Sequence, residues 1–302
     1  MTPEELIKQA ETGDSITQYA IGMMYLTGEE IKYEKEIAYH WLAKSAEQGY
    51  VKAQYEVGVL LSKSWREQLY ALRCNDCEVP FYNEKEAFQW FVKAAEQGLS
   101  KAQYEAAYCC YKGRGVAVNY EKAFEWFMKA AKQGECEAQY LIACMYEKGQ
   151  GVESDHKQAY KWFEASAAQG CGKAMYSVAC AYKGDDYGTL FNWYGGAVKS
   201  GCQEAYYPIG QMYYYGKGVE QSYEKAFEYY MLAAYPGISE EAQYAVGCMY
   251  ENGESVNPDR KKAIEWYRKA AKKGSKDAKV ALKRLKIKQR SALFAKIVGK
   301  WW

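Results

Sequence analysis

One segment recurs along the chain at a nearly fixed period, and this recurrence constrains the fold more than any other feature. Each copy ends at a glycine, and the steps between successive closing glycines are 36, 49, 36, 36, 31, 36 and 37 residues. Such a period is typical of repeat architectures, in which each copy is one supersecondary unit. The closing glycines are Gly13, Gly49, Gly98, Gly134, Gly170, Gly201, Gly237 and Gly274.

The period divides residues 14–274 into seven repeats between two terminal segments. Repeat 2 carries an insertion at 62–82, and repeat 5 is shortened. Residues 1–13 match the end of a repeat and predict an N-terminal capping half-repeat. Residues 275–302 predict a basic C-terminal capping helix and tail. The predicted repeats are 14–49, 50–98, 99–134, 135–170, 171–201, 202–237 and 238–274.

Each repeat reads as two helices joined by a glycine turn. Counted from the opening alanine as zero, small or apolar residues fall at positions 0, 4, 5, 7 and 8, which is helical spacing. Position 5 is always Gly or Ala, as at Gly58, and this predicts that two helices approach closely there. Glycine pairs such as Gly113 and Gly115 predict a helix C-cap and a turn. A second helix with a recurrent tryptophan, Trp126 in repeat 3, then runs to the closing glycine.

A single helix pair cannot cover its own apolar faces, so the pairs are expected to stack on one another. The sequence therefore predicts an all-α fold, an α-solenoid of about seven helix-turn-helix repeats in one continuous domain. Repeat 5 places Gly195 and Gly196 inside its second helix. Each glycine costs a helix about 1 kcal/mol relative to alanine, so we expect the solenoid to bend or loosen there.

These residues resemble the Sel1-like repeat family, a branch of the tetratricopeptide-like αα-superhelices. The shared pattern is A-x-Y-x-x-[GA]-x-x-Y-x-x-G-x-G-V, followed by K-A-x-x-W-[FY]-x-K-A-A-x-x-G. The resemblance implies a right-handed superhelix of helix pairs. It also implies a non-catalytic adaptor that assembles protein complexes, and in bacteria many members act in signalling or host contact.

Composition excludes several classes of protein. Aromatic residues make up 16% of the chain, including 31 Tyr, which is far too apolar for a disordered polymer. No apolar run approaches the length of a membrane span, and no signal-peptide core follows Met1, so we expect a cytoplasmic protein. Export without a cleavable signal stays open. Residues 275–302 carry nine Lys and Arg against one Asp, whereas the rest of the chain is mildly acidic.

Tyrosines recur at position 2 of the first helix, and this side of the helix faces the concave groove in relatives of this fold. Positions 6 and 9 continue the face and vary between repeats, whereas the packing positions do not. We therefore expect an aromatic groove that binds a partner protein or peptide, since tyrosine suits interfaces. The alternative is that the position-2 tyrosines only pack between adjacent first helices. The candidate contact residues are Tyr19, Tyr55, Tyr104, Tyr108, Tyr111, Tyr140, Tyr176, Tyr207, Tyr214, Tyr215 and Tyr244.

The basic tail ends in Trp301 and Trp302. It is interpreted as a C-terminal cap with a solvated basic face. The alternatives are peripheral contact with an acidic membrane surface, or docking to a partner or a second copy. Nucleic acid is not expected, because only the tail is basic.

No residue grouping predicts catalysis or a cofactor. Cys74 and Cys77 form a CxxC in the insertion, but zinc needs four ligands and no second CxxC exists. The ten cysteines are expected to be reduced, buried thiols. His40 falls at a polar position of the repeat, and His156, beside Asp155, is expected to cap a helix.

The sequence thus predicts a non-enzymatic scaffold or adaptor. Two alternatives remain: a dedicated regulator, effector or immunity-type inhibitor of one partner, or a metal or redox protein that uses Cys74 and Cys77.

Overall fold

The computed structural model describes residues 3–28, 32–62, 82–235, 237 and 239–286. These residues form helices and turns, and no strand occurs among them. The chain divides into two compact units, an N-terminal unit of Met1–Ala165 and a C-terminal unit of Ser166–Trp302. The all-α repeat fold predicted from the sequence is confirmed.

The N-terminal unit contains a short first helix followed by antiparallel helix pairs. In repeats 1 to 3 the first helix packs most extensively against the second helix of its own repeat. The helices are α1 (Pro3–Glu11), α2 (Ser15–Thr27), α3 (Lys35–Glu47), α4 (Val51–Leu61), α5 (Glu84–Glu96), α6 (Ser100–Lys112), α7 (Tyr120–Lys132), α8 (Cys136–Lys148) and α9 (His156–Ala168), the last of which ends beyond the unit boundary.

The C-terminal unit repeats this organisation. In repeat 6 a single 3₁₀ turn, Gln203–Ala205, precedes the first helix. The helices are α10 (Gly172–Ala181), α11 (Tyr187–Lys199), α12 (Tyr206–Tyr215), α13 (Tyr223–Ala234), α14 (Glu240–Asn252), α15 (Arg260–Lys273) and α16 (276–286).

Glycine at position 5 allows a bulky side chain of the second helix to lie directly on the first helix. A Cβ built on Gly58 would lie 2.7 Å from the ring of Phe91, and one on Gly210 would lie 2.6 Å from the ring of Tyr230. Both rings are buried, and each contributes about 1.5–3 kcal/mol by leaving water. The close approach predicted from position 5 is confirmed.

The paired glycines have separate roles. Gly113 ends α6 in the left-handed conformation, and its N–H donates to the carbonyl of Cys109. Gly115 also has a positive φ of 67°, and a Cβ there would lie 2.0 Å from the carbonyl oxygen of Glu84, where α5 of the preceding repeat begins. The second glycine therefore lets the turn of one repeat contact the second helix of the repeat before it.

A ladder of buried glutamines joins successive repeats. The side chain of Gln103 donates to the carbonyl of Ala95 in repeat 2 (3.2 Å) and accepts from Gln133 (2.8 Å), near the end of α7. Gln54 is placed in the same way, between the carbonyl of Ala46 and the amide of Gln97. Because unsatisfied buried carbonyls are costly, these bonds fix how each repeat sits on the preceding one.

Repeat 5 is shorter but its second helix is intact. α11 is continuous from Tyr187 to Lys199 and includes both Gly195 and Gly196. A Cβ on Gly195 would meet nothing within 4 Å, whereas one on Gly196 would lie 2.9 Å from the sulfur of Met175. The glycines therefore do not break the helix that contains them.

The helix α16 covers the last complete repeat. Ala278, Ala281 and Leu285 are buried against Tyr267 and its neighbours on α15. On α16, Lys283 and Lys286 fall at repeat positions 5 and 8, where the second helix of a further repeat would pack. Both lysines are exposed, which agrees with a capping role. Among the described residues, none of the helices has the length and hydropathy that crossing a membrane requires.

Candidate functional site

In the N-terminal unit three of the four position-2 tyrosines pack, half-buried, against the second helix of their own repeat. Tyr104 contacts Phe127 with ring centroids 5.7 Å apart, and Tyr55 contacts Phe91 at 6.0 Å. Burial raises the pKa of both tyrosines well above the usual value, and nearby glutamates add to the effect. These ring contacts lie within a repeat, whereas the packing alternative had placed them between adjacent first helices. Tyr140 packs on Phe163 in the same way, whereas Tyr19 contacts Tyr50, the N-cap of α4 in the next repeat, as the packing alternative expects.

The C-terminal unit continues the arrangement. Tyr207 lies 5.6 Å from Tyr230, and its hydroxyl accepts a hydrogen bond from Gln211. Burial raises the pKa of Tyr207 to about 12. Tyr176 and Tyr244, which contact Tyr194 and Tyr267, also have pKa values raised by burial to about 12.

Repeat 3 gathers three of the predicted tyrosines into one cluster. Tyr104 and Tyr108 are stacked with ring centroids 6.0 Å apart, and Tyr111 lies edge-on to Phe127 at 6.2 Å. The hydroxyl of Tyr111 donates to Gln150 in the turn of repeat 4, at 3.0 Å. Tyr111 therefore also links adjacent repeats, a packing role that its sequence position did not predict.

The second cluster is formed by repeat 6 together with Tyr187, the first residue of α11 in repeat 5. Tyr214 lies 4.9 Å from Tyr215 and 5.2 Å from Tyr223, and its hydroxyl donates to Glu254 at 3.0 Å. Tyr215 is 61% exposed and Tyr187 is 44% exposed. The structure thus brings Tyr214 and Tyr215 together and adds two tyrosines that the sequence analysis missed. Tyr187 and Tyr223 are both the first residue of a second helix, a position where Tyr120 of repeat 3 could have provided the signal.

Two half-buried carboxyl groups on the first helices of repeats 2 and 3 were also missed. Burial raises the pKa of Glu105, while Arg114 lowers it and Glu84 raises it. Burial also raises the pKa of Glu56, which occupies the same repeat position on α4. Position 3 is occupied by Leu, Ser, Pro or Ala in repeats 4 to 7, so periodicity alone gave no reason to single out these carboxylates.

The cysteines do not share one environment. Cys109, Cys110, Cys171 and Cys202 are buried, and burial raises the pKa of the Cys109 thiol to about 12. Cys180 is exposed, which corrects the expectation that the thiols are all buried. Its sulfur lies 3.8 Å from the hydroxyl of Tyr194, on the second helix of the same repeat. Cys74, Cys77, Trp301 and Trp302 lie outside the described residues.

The two histidines occupy different settings. His40 is exposed and packs edge-on against Trp41, in agreement with its polar repeat position. His156 is the first residue of α9, and the cap is Asp155, whose carboxylate accepts from the N–H groups of Lys157 and Gln158. The predicted capping role of His156 was therefore wrong. No group of three or more His, Cys, Asp or Glu side chains that could hold a metal occurs in the described part of the chain.

The repeat geometry agrees with a known family model. The Sel1 repeat model matches residues 15–50, 80–99, 100–135, 136–171, 203–235 and 240–275. The chain belongs to the Sel1 repeat family. The unmatched stretches contain the insertion of repeat 2 and the shortened repeat 5. Sel1 repeat proteins are generally non-enzymatic scaffolds for protein interactions.

Two solved Sel1 repeat structures are similar over 94% of this chain. One is a protective antigen present in uropathogenic Escherichia coli strains, with 29% identity and a TM-score of 0.77, and this chain spans 59% of its length. The other is a Sel1 repeat protein from Oxalobacter formigenes, with 30% identity, a TM-score of 0.67 and 80% of its length covered. No curated protein sequence matches the chain significantly.

Proposed function

We propose that this Sel1 repeat protein is a non-enzymatic scaffold that binds a partner protein or peptide through the exposed side of its first helices and their turns. The observation that carries the proposal is the cluster formed by the tyrosines of repeat 6 and Tyr187 of repeat 5. Tyr187, Tyr215 and Tyr223 remain 44%, 61% and 36% exposed although each is in contact with another side chain. Rings held in place in this way lose little freedom on binding, and tyrosine offers both an apolar face and a hydroxyl group.

The variation between repeats supports the same proposal. Packing positions keep small or apolar residues throughout the chain, whereas position 6 does not. A position whose residue type the repeat does not fix can be chosen for contact with a partner, even where its side chain also packs on its own repeat, as Tyr108 does on Tyr104. Position 6 is occupied by Met23, Val59, Tyr108, Cys144, Cys180, Gln211 and Cys248.

Partner capture with matched variants tests the proposal. The full chain and a Tyr187→Ser/Tyr215→Ser/Tyr223→Ser variant are cross-linked to partners in a cell lysate and analysed by mass spectrometry. We expect the variant to lose the partners that the wild-type chain captures. The control is Leu232→Ser/Tyr235→Ser, which removes two exposed apolar residues of α13, 49% and 73% exposed, and should keep them. Circular dichroism checks that all three proteins are folded.

The outcome also separates an adaptor from a dedicated regulator. One stoichiometric partner favours a regulator, effector or immunity-type inhibitor, whereas several partners favour an adaptor. Capture that survives the triple substitution but is lost in the α13 control would show that the proposed face is wrong.

A further inference from the structure

A cluster of cationic side chains surrounds the tyrosines of repeat 3. The Nζ of Lys112 lies 5.1 Å from the ring centroid of Tyr111 and 5.9 Å from that of Tyr108. The guanidinium of Arg114 lies 5.1 Å from the Tyr108 ring. Lys148 of repeat 4 is close enough for its charge to lower the pKa of Tyr111, against the larger effect of burial, which raises it. We call Tyr108, Tyr111, Lys112, Arg114 and Lys148 the basic rim.

The fold brings these residues together from two turns. Lys112 and Arg114 flank Gly113, the C-cap of α6, and Lys148 precedes Gly149, the C-cap of α8. The bond from Tyr111 to Gln150 ties the two turns to each other. The cations of adjacent repeats are therefore held on one edge of the N-terminal unit.

The cations of the basic rim differ in whether they interact with acidic residues of the protein. Arg114 is close enough to Glu105 for its charge to lower the pKa of that carboxyl, so part of the charge of Arg114 is already offset. Lys112 and Lys148 have no hydrogen bond or ion pair with any residue in the described ranges. Glu147, at position 9 of repeat 4, is the neighbouring exposed carboxylate.

Repeats 6 and 7 supply a natural comparison. The residues equivalent to Lys112, Lys148 and Gln150 are Tyr215, Asn252 and Glu254. The same turn geometry thus carries two cations fewer and one carboxylate more. The positive charge is a property of repeats 3 and 4 and does not follow from the repeat itself.

We propose that the basic rim binds an acidic peptide segment of the partner. Carboxylates of the segment meet Lys112 and Lys148, and an apolar or aromatic side chain packs on Tyr108 and Tyr111. Complementary charge accelerates association and selects against basic partners, and the exposed lysines make binding dependent on salt. The proposal rests on the proposed function, because it names the chemistry of the partner at one part of that face.

Fluorescence anisotropy with the full chain tests it, using three labelled probes of equal length. These are an acidic peptide of Glu, Asp and Phe, the same peptide with Lys in place of the acids, and a single-stranded oligothymidine. We expect the acidic peptide to bind more tightly than the other two. The variant Lys112→Glu/Lys148→Glu should weaken its binding about tenfold, since it places like charges opposite each other.

Two further variants sharpen the result. Lys122→Glu/Lys132→Glu makes the same change in net charge at exposed sites of α7 and should leave binding of the acidic peptide unchanged. Glu147→Gln removes the neighbouring carboxylate and should tighten binding about twofold.

Equal binding of the acidic and basic peptides, equal weakening by both lysine pairs, or tighter binding of the oligonucleotide would overturn the acidic-peptide proposal. If the acidic peptide does not bind while partner capture still depends on Tyr187, Tyr215 and Tyr223, the acidic-peptide proposal is rejected and the proposed function stands. If both fail, the proposed function falls with it.

Discussion

At the scale of the residue, one small side chain decides how a helix pair closes. Gly210 lies so close to the ring of Tyr230 that an added methyl group would overlap it. Repeat 3 holds Ala107 beside a buried Phe127, so the fold can accommodate alanine where the ring is seated differently. The loss of stability from a methyl group at Gly210 therefore depends on how easily the Tyr230 ring can shift.

Two glycine-to-alanine substitutions in the C-terminal unit should have opposite effects. Gly210→Ala should lower the free energy of unfolding by about 1–3 kcal/mol, because the Tyr230 ring must shift. Gly195→Ala should raise it by about 1 kcal/mol, because the helix gains a better former and the methyl group meets nothing within 4 Å. Denaturant unfolding followed by circular dichroism measures both, and effects of the same sign would refute this account.

At the scale of the element, side-chain hydrogen bonds join adjacent repeats in addition to the apolar packing within each repeat. Gln243 of repeat 7 donates to the carbonyl of Ala234, as its equivalents do. Its Oε1 atom is buried and has no hydrogen-bond partner among the described residues. Repeats 1 to 3 supply a glutamine for this bond, whereas repeat 7 has Lys273 at the equivalent place.

Lys273→Gln should therefore complete the ladder in repeat 7. We expect the free energy of unfolding to rise by about 1 kcal/mol, the usual net value of one hydrogen bond that satisfies a buried atom. Lys272→Gln, at an exposed neighbouring site, is the control for the loss of a positive charge. If both variants have the same stability, the unsatisfied oxygen is not the cause.

Truncations should distinguish the cap from the tail. A chain that ends at Gly274 exposes the side of Tyr267 and Ala270 that α16 covers, and it loses the bond from Arg260 to the carbonyl of Leu285 (2.6 Å). Its thermal midpoint should fall by several degrees relative to a chain that ends at Lys286. Equal midpoints would show that α16 does not act as a cap.

The sequence predicted the elements better than the contacts between them. Period, helical spacing and the glycine pairs are local, so the helix pairs and the glycine turns followed directly. The ring contact of Tyr104 with Phe127 and the hydrogen bond from Gln103 to Ala95 each join two different helices. The spacing of residues within one helix does not show which residue of another helix they contact. Packing of the position-2 tyrosines was therefore foreseen as an alternative, but with adjacent first helices as partners, whereas Tyr55, Tyr104 and Tyr140 contact the second helix of their own repeat.

At the scale of the whole molecule, the chain depends on many phenols that are neutral when folded. Burial raises the pKa of Tyr176, Tyr207 and Tyr244 to about 12, compared with about 10 in an unfolded chain. A group with a raised pKa stabilises the fold fully below the unfolded value, and this contribution is lost as pH rises through the folded value.

The protein should consequently unfold in alkali in a cooperative way. Stability should be constant up to about pH 10 and should then fall steeply toward about pH 12, as phenols of the unfolded chain ionise. Phenolate absorbance and helical circular dichroism should change together. Complete ionisation of the tyrosines with the helices still intact would contradict the prediction.

In repeats 3 and 6 the side chain between the two glycines of the turn can vary, although the second glycine cannot. Gly115 and Gly218 cannot accept a side chain, because the backbone of the preceding repeat touches them, yet Arg114 and Lys217 between the glycines point toward solvent-facing rings. The charge at these two turns can therefore change without a change in the backbone contacts between repeats, whereas Gln150, at the same place in repeat 4, also accepts a hydrogen bond from Tyr111 of repeat 3. A binding preference could be transplanted between Sel1 proteins by exchanging single residues at this place.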